Sequence, residues 1–448
     1  MKRYEKYKPS GIEWIGEVPE HWNQFRIKYA LSRSAAGVWG DDEKGDDNDI
    51  ICYRIADFDY DHGGLNLDDL TTRNIEPKQL EGRIVKEGDL LIEKSGGGEA
   101  TPVGRAVKVN SDQRATYTNF IHSVSIKEGY DSNYLYYYFY TLYALKINML
   151  FFNQTTGLQN LKVGDYLSQT IYLPLLAEQE AIAAYLDARC GDIDKVVATQ
   201  EKRIALLNEM KQSIITQAVT QGLNPDAKMK DSGVEWIGMV PEHWEVMPFK
   251  SKFKTDKGLS ITKADLVDEG VPVISYGQIH SKQNDYVHTL DHLLRFIPEE
   301  MALADSKAKL EIGDIVFADT SEDVEGSGNA FYIEREGIYA GYHTVIAKSI
   351  ERVDNKYFAY LFATPMWRSQ VRSQVYGVKV FSITQQILKS TSLIAPPVEE
   401  RKQIVEVLEE KCARIDKQIE KIQNQIELLR EYKQSLITDV VTGKVKVC

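Results

Sequence analysis

Few residues of this chain are spaced for catalysis. Asp89 followed by Glu93-Lys94 approaches the acidic-and-lysine set of a metal-dependent nuclease, but the Glu-x-Lys spacing is wrong. Its counterpart later in the chain, Asp314 with Asp319-Thr320, has no lysine at all. Ser95–Gly104 (SGGGEATPVG) is glycine-rich but has neither the lysine nor the strand-to-helix setting of a phosphate-binding loop. The only Pro-Pro, Pro396-Pro397, lacks the Asn or Asp before it and the aromatic residue after it that adenine methylation chemistry uses. His21 and His243 have no neighbouring ligand or nucleophile and read as structural. The four cysteines show no metal-ligand spacing and fit a reducing compartment. What remains is polar loop chemistry, as in Gln154-Thr155-Thr156-Gly157-Leu158-Gln159-Asn160-Leu161, with side chains suited to hydrogen bonding.

Two long helical patterns must position those loops. One runs from about Glu178 to Val219, the other from about Glu400 to Val441. In steps of four and three, the first gives Leu186, Cys190, Ile193, Val197, Gln200, Ile204, Leu207, Lys211, Ile214 and Ala218. The second gives Leu408, Cys412, Ile415, Ile419, Ile422, Ile426, Leu429, Lys433, Leu436 and Val440. This is the heptad seam of a coiled coil. Matched positions keep a constant offset of 222 residues, as in Cys190 and Cys412. The same offset relates SGIEWIGEVPEHW at 10–22 to SGVEWIGMVPEHW at 232–244, so the chain is an internal duplication. The tryptophans of this motif, Trp14, Trp22, Trp236 and Trp244, read as packing anchors.

A length of 448 residues exceeds one core, and 43% hydrophobic with 27% charged residues describes a globular chain. Neither a membrane-length apolar run nor a secretory leader is present, so a cytoplasmic location is expected. The net charge of −12 opposes a polyanion partner, but the excess is uneven. Part of it lies in one run, Asp41-Asp42-Glu43 and Asp46-Asp47-Asn48-Asp49, expected as a solvated loop, while residues 71–172 are near neutral.

The organisation expected is a first motif copy at 1–22, a mixed domain at 23–173, a helix at 174–222, a linker and second motif at 223–244, a second mixed domain at 245–395, and a second helix with the tail at 396–448. The fold class is α+β. In each mixed domain short strands alternate with turns, and a tyrosine-rich helix follows, Asn133–Leu150 and then Lys356–Phe362. The motifs and helices are nearly identical between the copies while the mixed domains diverge, as if two different targets were met on one frame. Chain order requires the helices to pair antiparallel, which makes a ruler about 60 Å long. Residues 10–22 should then pack at the end of the second helix, as 232–244 pack at the end of the first. Lys211 and Lys433, polar in apolar seams, should fix the register.

The repeated SG(I/V)EWIG(E/M)VPEHW motif resembles that of Type I restriction-modification specificity subunits. So do LPLLAEQEAIAAYLDARCGDID with APPVEERKQIVEVLEEKCARID, and the helix ends KQSIITQAVTQG and KQSLITDVVTGK. The match covers essentially the whole chain. The resemblance implies two target-recognition domains, each reading one half of a split sequence in double-stranded DNA. It also implies two modification subunits as partners, which methylate adenine with S-adenosylmethionine. Restriction subunits using ATP and Mg can join them, and this chain itself supplies no catalysis and binds no cofactor. For base and phosphate contacts, the residues expected in the first domain are Lys94, Arg105, Asn119, Gln154, Thr155, Gln159, Asn160 and Lys162. In the second they are Thr320, Ser321, Tyr342, His343, Tyr376, Lys379 and Ser382. The competing readings are a coiled-coil adaptor holding two protein-binding domains, or an enzyme with its site in the mixed domains.

Overall fold

The computed structural model describes residues 2–155, 157–351, 355–377 and 379–447. The chain divides into two compact units, Met1–Glu201 with Gln423–Cys448, and Lys202–Ile422.

The first unit is built on an antiparallel sheet of β1 (Leu31–Ala36), β2 (Leu90–Glu93), β3 (Ala106–Lys108) and β4 (Ile121–Ile126), in the order β3-β2-β4-β1. Leu90, Leu91 and Ile92 are all buried, because β2 is covered on both faces. Leu90 and Ile92 pack into the core under the tyrosine-rich helix α1 (Ser132–Ala144). Leu91, on the opposite face, packs with Tyr53, Val107 and Tyr117 beneath a second sheet. In that sheet Asp49–Tyr53 runs parallel to Ala115–Tyr117 and antiparallel to Thr72–Asn74.

Three local expectations change here. Helix α1 starts where the Asp131 carboxylate accepts the Tyr134 amide at 2.7 Å, but it ends at Ala144 rather than near Leu150. Lys146 turns left-handed (φ 59°), and the chain continues as a 3-10 turn, Ile147–Phe151, in which fully buried Asn148 donates to the Val103 carbonyl at 2.6 Å. The polar loop ending at Leu161 is a hairpin, Phe152–Thr155 against Leu158–Leu161. Within the acidic run, Asp41–Asp42 forms a short strand on Thr72–Asn74, with an Arg73–Asp42 ion pair.

The second unit repeats the plan. Strands β5 (Phe253–Lys257), β6 (Ile315–Ala318), β7 (Ala330–Tyr332) and β8 (Thr344–Ser349) order as β5-β8-β6-β7, matching β1-β4-β2-β3. Ile315 and Phe317 face the core of helix α2 (Lys356–Ala363), and Val316 and Ala318 face a separate core with Phe331 and Ile346. A further helix, α3 (Pro365–Arg372), follows at once, with the Thr364 hydroxyl accepting the Trp367 amide at 3.2 Å.

The two long helices span Leu176–Gln221 and Val398–Val441, and each runs through both units. In each unit their segments pack as an antiparallel two-helix coiled coil. In the first, Lys433 Nζ donates to both Asp194 oxygens at 2.7 and 2.8 Å, and Arg430 pairs with Glu201 at 3.0 Å. In the second, Lys211 Nζ donates to both Asp416 oxygens at 2.8 and 2.7 Å. Asp194 and Asp416 are the same position in the two copies, as are Lys211 and Lys433. An antiparallel pairing therefore puts each lysine against an aspartate, whereas a parallel in-register pairing would put like against like. Leu186, Ile193, Leu408, Ile415, Ile422, Ile426 and Leu436 are buried. Val197, Ile204, Leu207, Ile214, Ile419 and Leu429 are half-buried. Cys190 and Cys412 are buried free thiols, each pushed up by burial, Cys190 to about 11.

The duplicated motif ties each unit together. Trp22 is fully buried and its indole N–H donates to Glu178 at 3.1 Å, while the His21 ring contacts the other Glu178 oxygen at 2.8 Å. Trp244, His243 and Glu400 repeat this at 3.1 and 2.7 Å. Trp22 also packs at Gly443, beyond the end of the second helix, and Trp244 at Gly222, beyond the end of the first. The tyrosine-rich helices use equivalent rungs. Tyr134 donates to the Val441 carbonyl at 3.1 Å and Tyr137 to Asp187 at 2.7 Å. Tyr357 donates to the Val219 carbonyl at 2.8 Å, and Tyr360 to Glu409. Trp14 is half-buried against Tyr138 (centroids 6.2 Å apart), but Trp236 is 46% exposed, so it is no packing anchor.

Candidate nucleic-acid interface

In both units the end of the central strand meets two other segments at a three-way corner. After β2, the Lys94 and Ser95 amides donate to the Phe120 carbonyl at 2.8 and 3.1 Å, and the Lys94 carbonyl accepts the Leu161 amide at 2.8 Å. Ser95 faces Asn160 in a short ladder, with its hydroxyl donating to Asn160 Oδ1 at 2.7 Å. After β6, the Asp319 amide donates to the His343 carbonyl at 3.1 Å, and its carbonyl accepts the Ile383 amide at 2.7 Å. Thr320 then faces Ser382 and Ser321 faces Phe381. The wiring is the same and the side chains differ.

A close backbone crossing supports each corner. A Cβ on Gly37 would lie 2.1 Å from the Thr118 carbonyl oxygen, and one on Gly258 would lie 2.1 Å from that of Gly341. Only glycine lets the chain pass under the turn.

The first corner brings together Lys94, Asn119 and Asn160, with Lys162 exposed just beyond; Asn119 and Asn160 are exposed and Lys94 is half-buried. Burial, followed by the Lys94 charge, pulls His122 down to about 4, so this ring is neutral at ordinary pH. The second corner brings together Thr320, Tyr342, His343 and Ser382. His343 is exposed with φ 54° and its ring contacts Asp319 at 3.2 Å. Lys379 is exposed, and Tyr376 is 87% exposed.

Three of the expected residues sit behind the corners instead. Gln159 is buried; its amide oxygen accepts the Val103 N–H at 3.1 Å and its NH2 donates to the Gly98 carbonyl at 3.3 Å. It therefore holds the glycine-rich loop. Arg105 donates to buried Glu93 at 3.1 Å and lies 3.5 Å over the Tyr60 ring, which commits its guanidinium inward. Ser321 is buried and accepts the Asp323 amide at 3.4 Å. The side chains of Gln154 and Thr155 lie outside the described residues.

Sequence reading missed Ser95, Phe120, Asp319 and Tyr276. Phe120 is 45% exposed at the first corner, and no pattern separates such an aromatic from core. Tyr276 packs beside His280 and His343 (centroids 5.3 and 6.1 Å away) and donates to Glu322 at 3.0 Å. Asp89 and Asp314, the nearest approach to a nuclease pattern, cap turns instead: each accepts a backbone amide, from Lys86 at 2.9 Å and from Glu311 at 3.0 Å. The corners thus present amide, hydroxyl, phenol, imidazole and ammonium groups on fixed backbone, a set that hydrogen-bonds polar edges and carries no activated nucleophile. No helix among the described residues is long and apolar enough to cross a membrane.

Comparison with known proteins agrees with this geometry. The family profile described as "Type I restriction modification DNA specificity domain" matches residues 41–208 and 241–428, one copy per mixed domain and its following helix. The chain is 25% identical to the putative Type I restriction enzyme MjaX specificity subunit of Methanocaldococcus jannaschii, over 97% of this chain and 96% of that one. It is 26% identical to the MjaVIII specificity subunit of the same organism, over 69% and 70%. It is 23% identical to the EcoKI specificity subunit of Escherichia coli, over 84% and 79%. A solved chain from work on complex assembly and conformational transition of the type I R-M system shares the fold, with a TM-score of 0.67 at 13% identity, over 96% of this chain and 99% of that chain.

Proposed function

We propose, from the premise that this chain belongs to the Type I restriction modification DNA specificity domain family, that its two corners divide one DNA target between them. The corner of Lys94, Asn119 and Asn160 reads one half and the corner of Thr320, Tyr342, His343 and Ser382 reads the other. The observation that carries this is the identical backbone wiring with different side chains. Such a design keeps docking constant and changes the bases recognised. Asn160 suits an adenine edge, while Lys94 and Lys162 suit guanine or phosphate. The long helices, continuous through both units, set the spacer between the half-sites. An adaptor for two protein partners does not account for a DNA specificity match in both units.

The chain acts without catalysis of its own. Two modification subunits methylate adenine using S-adenosylmethionine, the flipped base being held by them. Restriction subunits, where present, use ATP and Mg, and this chain binds none of these cofactors. The working compartment is the cytoplasm. With a net charge of −12, the isolated chain binds duplex weakly, and the partners supply much of the phosphate clamp. Methylome mapping of a host carrying Asn160→Ala tests the assignment: the pattern should relax in one half only, and an equal change in both halves would refute it.

A further inference from the structure

Beside the second corner a cavity of about 550 Å3 opens, lined by Lys282, Ser321, Arg368 and Arg372 among others. Arg368 and Arg372 lie one turn apart on α3, so their guanidinium groups share a face. Arg368 is 9% exposed. Both donate to the Glu325 carbonyl, and Arg368 also donates to Asn329 Oδ1. Those acceptors are uncharged, and the Nε of each arginine is buried with no hydrogen-bond partner. Two like charges are therefore held together in partial burial, and burial with the Arg372 charge pulls Arg368 below the usual guanidinium range.

The surroundings are built around this pair. Asn329 donates to His280 Nδ1 at 3.1 Å, so His280 Nε2 carries the proton and donates to the Thr320 carbonyl at 2.8 Å. Both ring nitrogens are thereby engaged. Three acids, Glu322, Asp323 and Glu325, also line the cavity, all exposed. Glu322 accepts the Tyr276 hydroxyl, and Asp323 accepts the Gly326 amide at 2.5 Å and acts on Arg368 from a distance. Glu325 meets the arginines through its backbone carbonyl. A Cβ on Gly326 would lie 2.4 Å from the Ser321 hydroxyl, so the loop sits down on the corner itself.

We propose that this cavity seats one phosphodiester of the DNA backbone beside the half-site read by the second domain. Arg368 and Arg372 hold its unbridged oxygens, and Lys282 approaches from the rim. The inference rests on the proposed reading of the corners. It belongs to the second domain alone, because at the offset that relates Tyr134 to Tyr357 and Tyr137 to Tyr360 the matching positions are Leu145 and Met149, neither of them basic.

The test uses the full chain assembled with its modification subunits, on a duplex carrying the methylated pattern. Arg372→Gln should reduce the slope of log affinity against log salt by about 0.9, with sequence preference unchanged, and Arg372→Lys should restore it. Lys282→Gln, at the exposed rim, should shift the slope in the same sense. In a methylphosphonate scan, one position should weaken the wild type and leave Arg372→Gln unaffected. Slopes unchanged in both glutamine variants, or full methylphosphonate sensitivity at every position in Arg372→Gln, would overturn the phosphate seat while leaving the half-site reading intact. Failure of the wild-type complex to prefer that duplex would overturn the reading itself.

Discussion

The duplicated lysine–aspartate rung gives the sharpest prediction about the frame. Asp194 and Lys433 have side chains 27% and 16% exposed, with both carboxylate oxygens engaged. Asp416 and Lys211 are 51% and 24% exposed. An exposed pair contributes about 0–1 kcal/mol and a fully buried one costs about 3–5 kcal/mol to break. The first rung lies between these limits, so Asp194→Ala should cost about 1–2 kcal/mol. It should not cost more, because Lys433 keeps a second acceptor, the Asp61 carbonyl at 3.1 Å. Asp416→Ala should cost about 0.5 kcal/mol. Hydrogen exchange across residues 185–200 and 405–420 reads the two sites separately, which avoids a single unfolding free energy for a two-unit chain. The exchanged pair Asp194→Lys with Lys433→Asp should recover most of the loss. If the exchange recovers nothing, or the two alanine variants cost the same, the rung does not set the register as argued.

Two further outcomes follow from local geometry. His288 is raised to about 9, first by Asp285 and then by Glu409, while Lys356 opposes it. Its folded pKa lies above the unfolded value of about 6.5, so the stabilisation is complete below that value and is lost as pH rises through about 9. Protection of residues 284–290 against hydrogen exchange, taken relative to the intrinsic base-catalysed rate at each pH, should therefore fall between about pH 8 and 10, and His288→Gln should remove that fall. Gly37→Ala or Gly258→Ala should cost about 3 kcal/mol or more in the local stability that hydrogen exchange reads for the unit holding it, since the new methyl meets backbone rather than a yielding side chain; a cost under about 1 kcal/mol would contradict the crossing described.

The repeat made the frame readable from sequence. Two copies of one heptad seam, joined by chain order, leave antiparallel pairing as the arrangement that matches Lys211 with Asp416 and Lys433 with Asp194. The α+β domains were legible as classes, because Leu90–Ile92 and Ile315–Phe317 are apolar runs of strand length. Side-chain duties were not. Gln159 and Asn160 are neighbours of similar chemistry, yet a strand sends one inward to hold a loop and the other outward to solvent. Arg105 is indistinguishable from a phosphate ligand until Tyr60, distant in sequence, is found beneath it. Trp14 and Trp236 occupy one motif position and differ in burial because the domains beside them have diverged.

The central claim is that each domain governs its own half of a split DNA pattern. Replacing residues 23–173 with the corresponding domain of a relative, followed by single-molecule methylation mapping of the host genome, tests it directly. The account predicts that one half of the adenine-methylated pattern changes while the other half and the spacer length stay fixed. A change in both halves, or a pattern indifferent to the exchange, would contradict it.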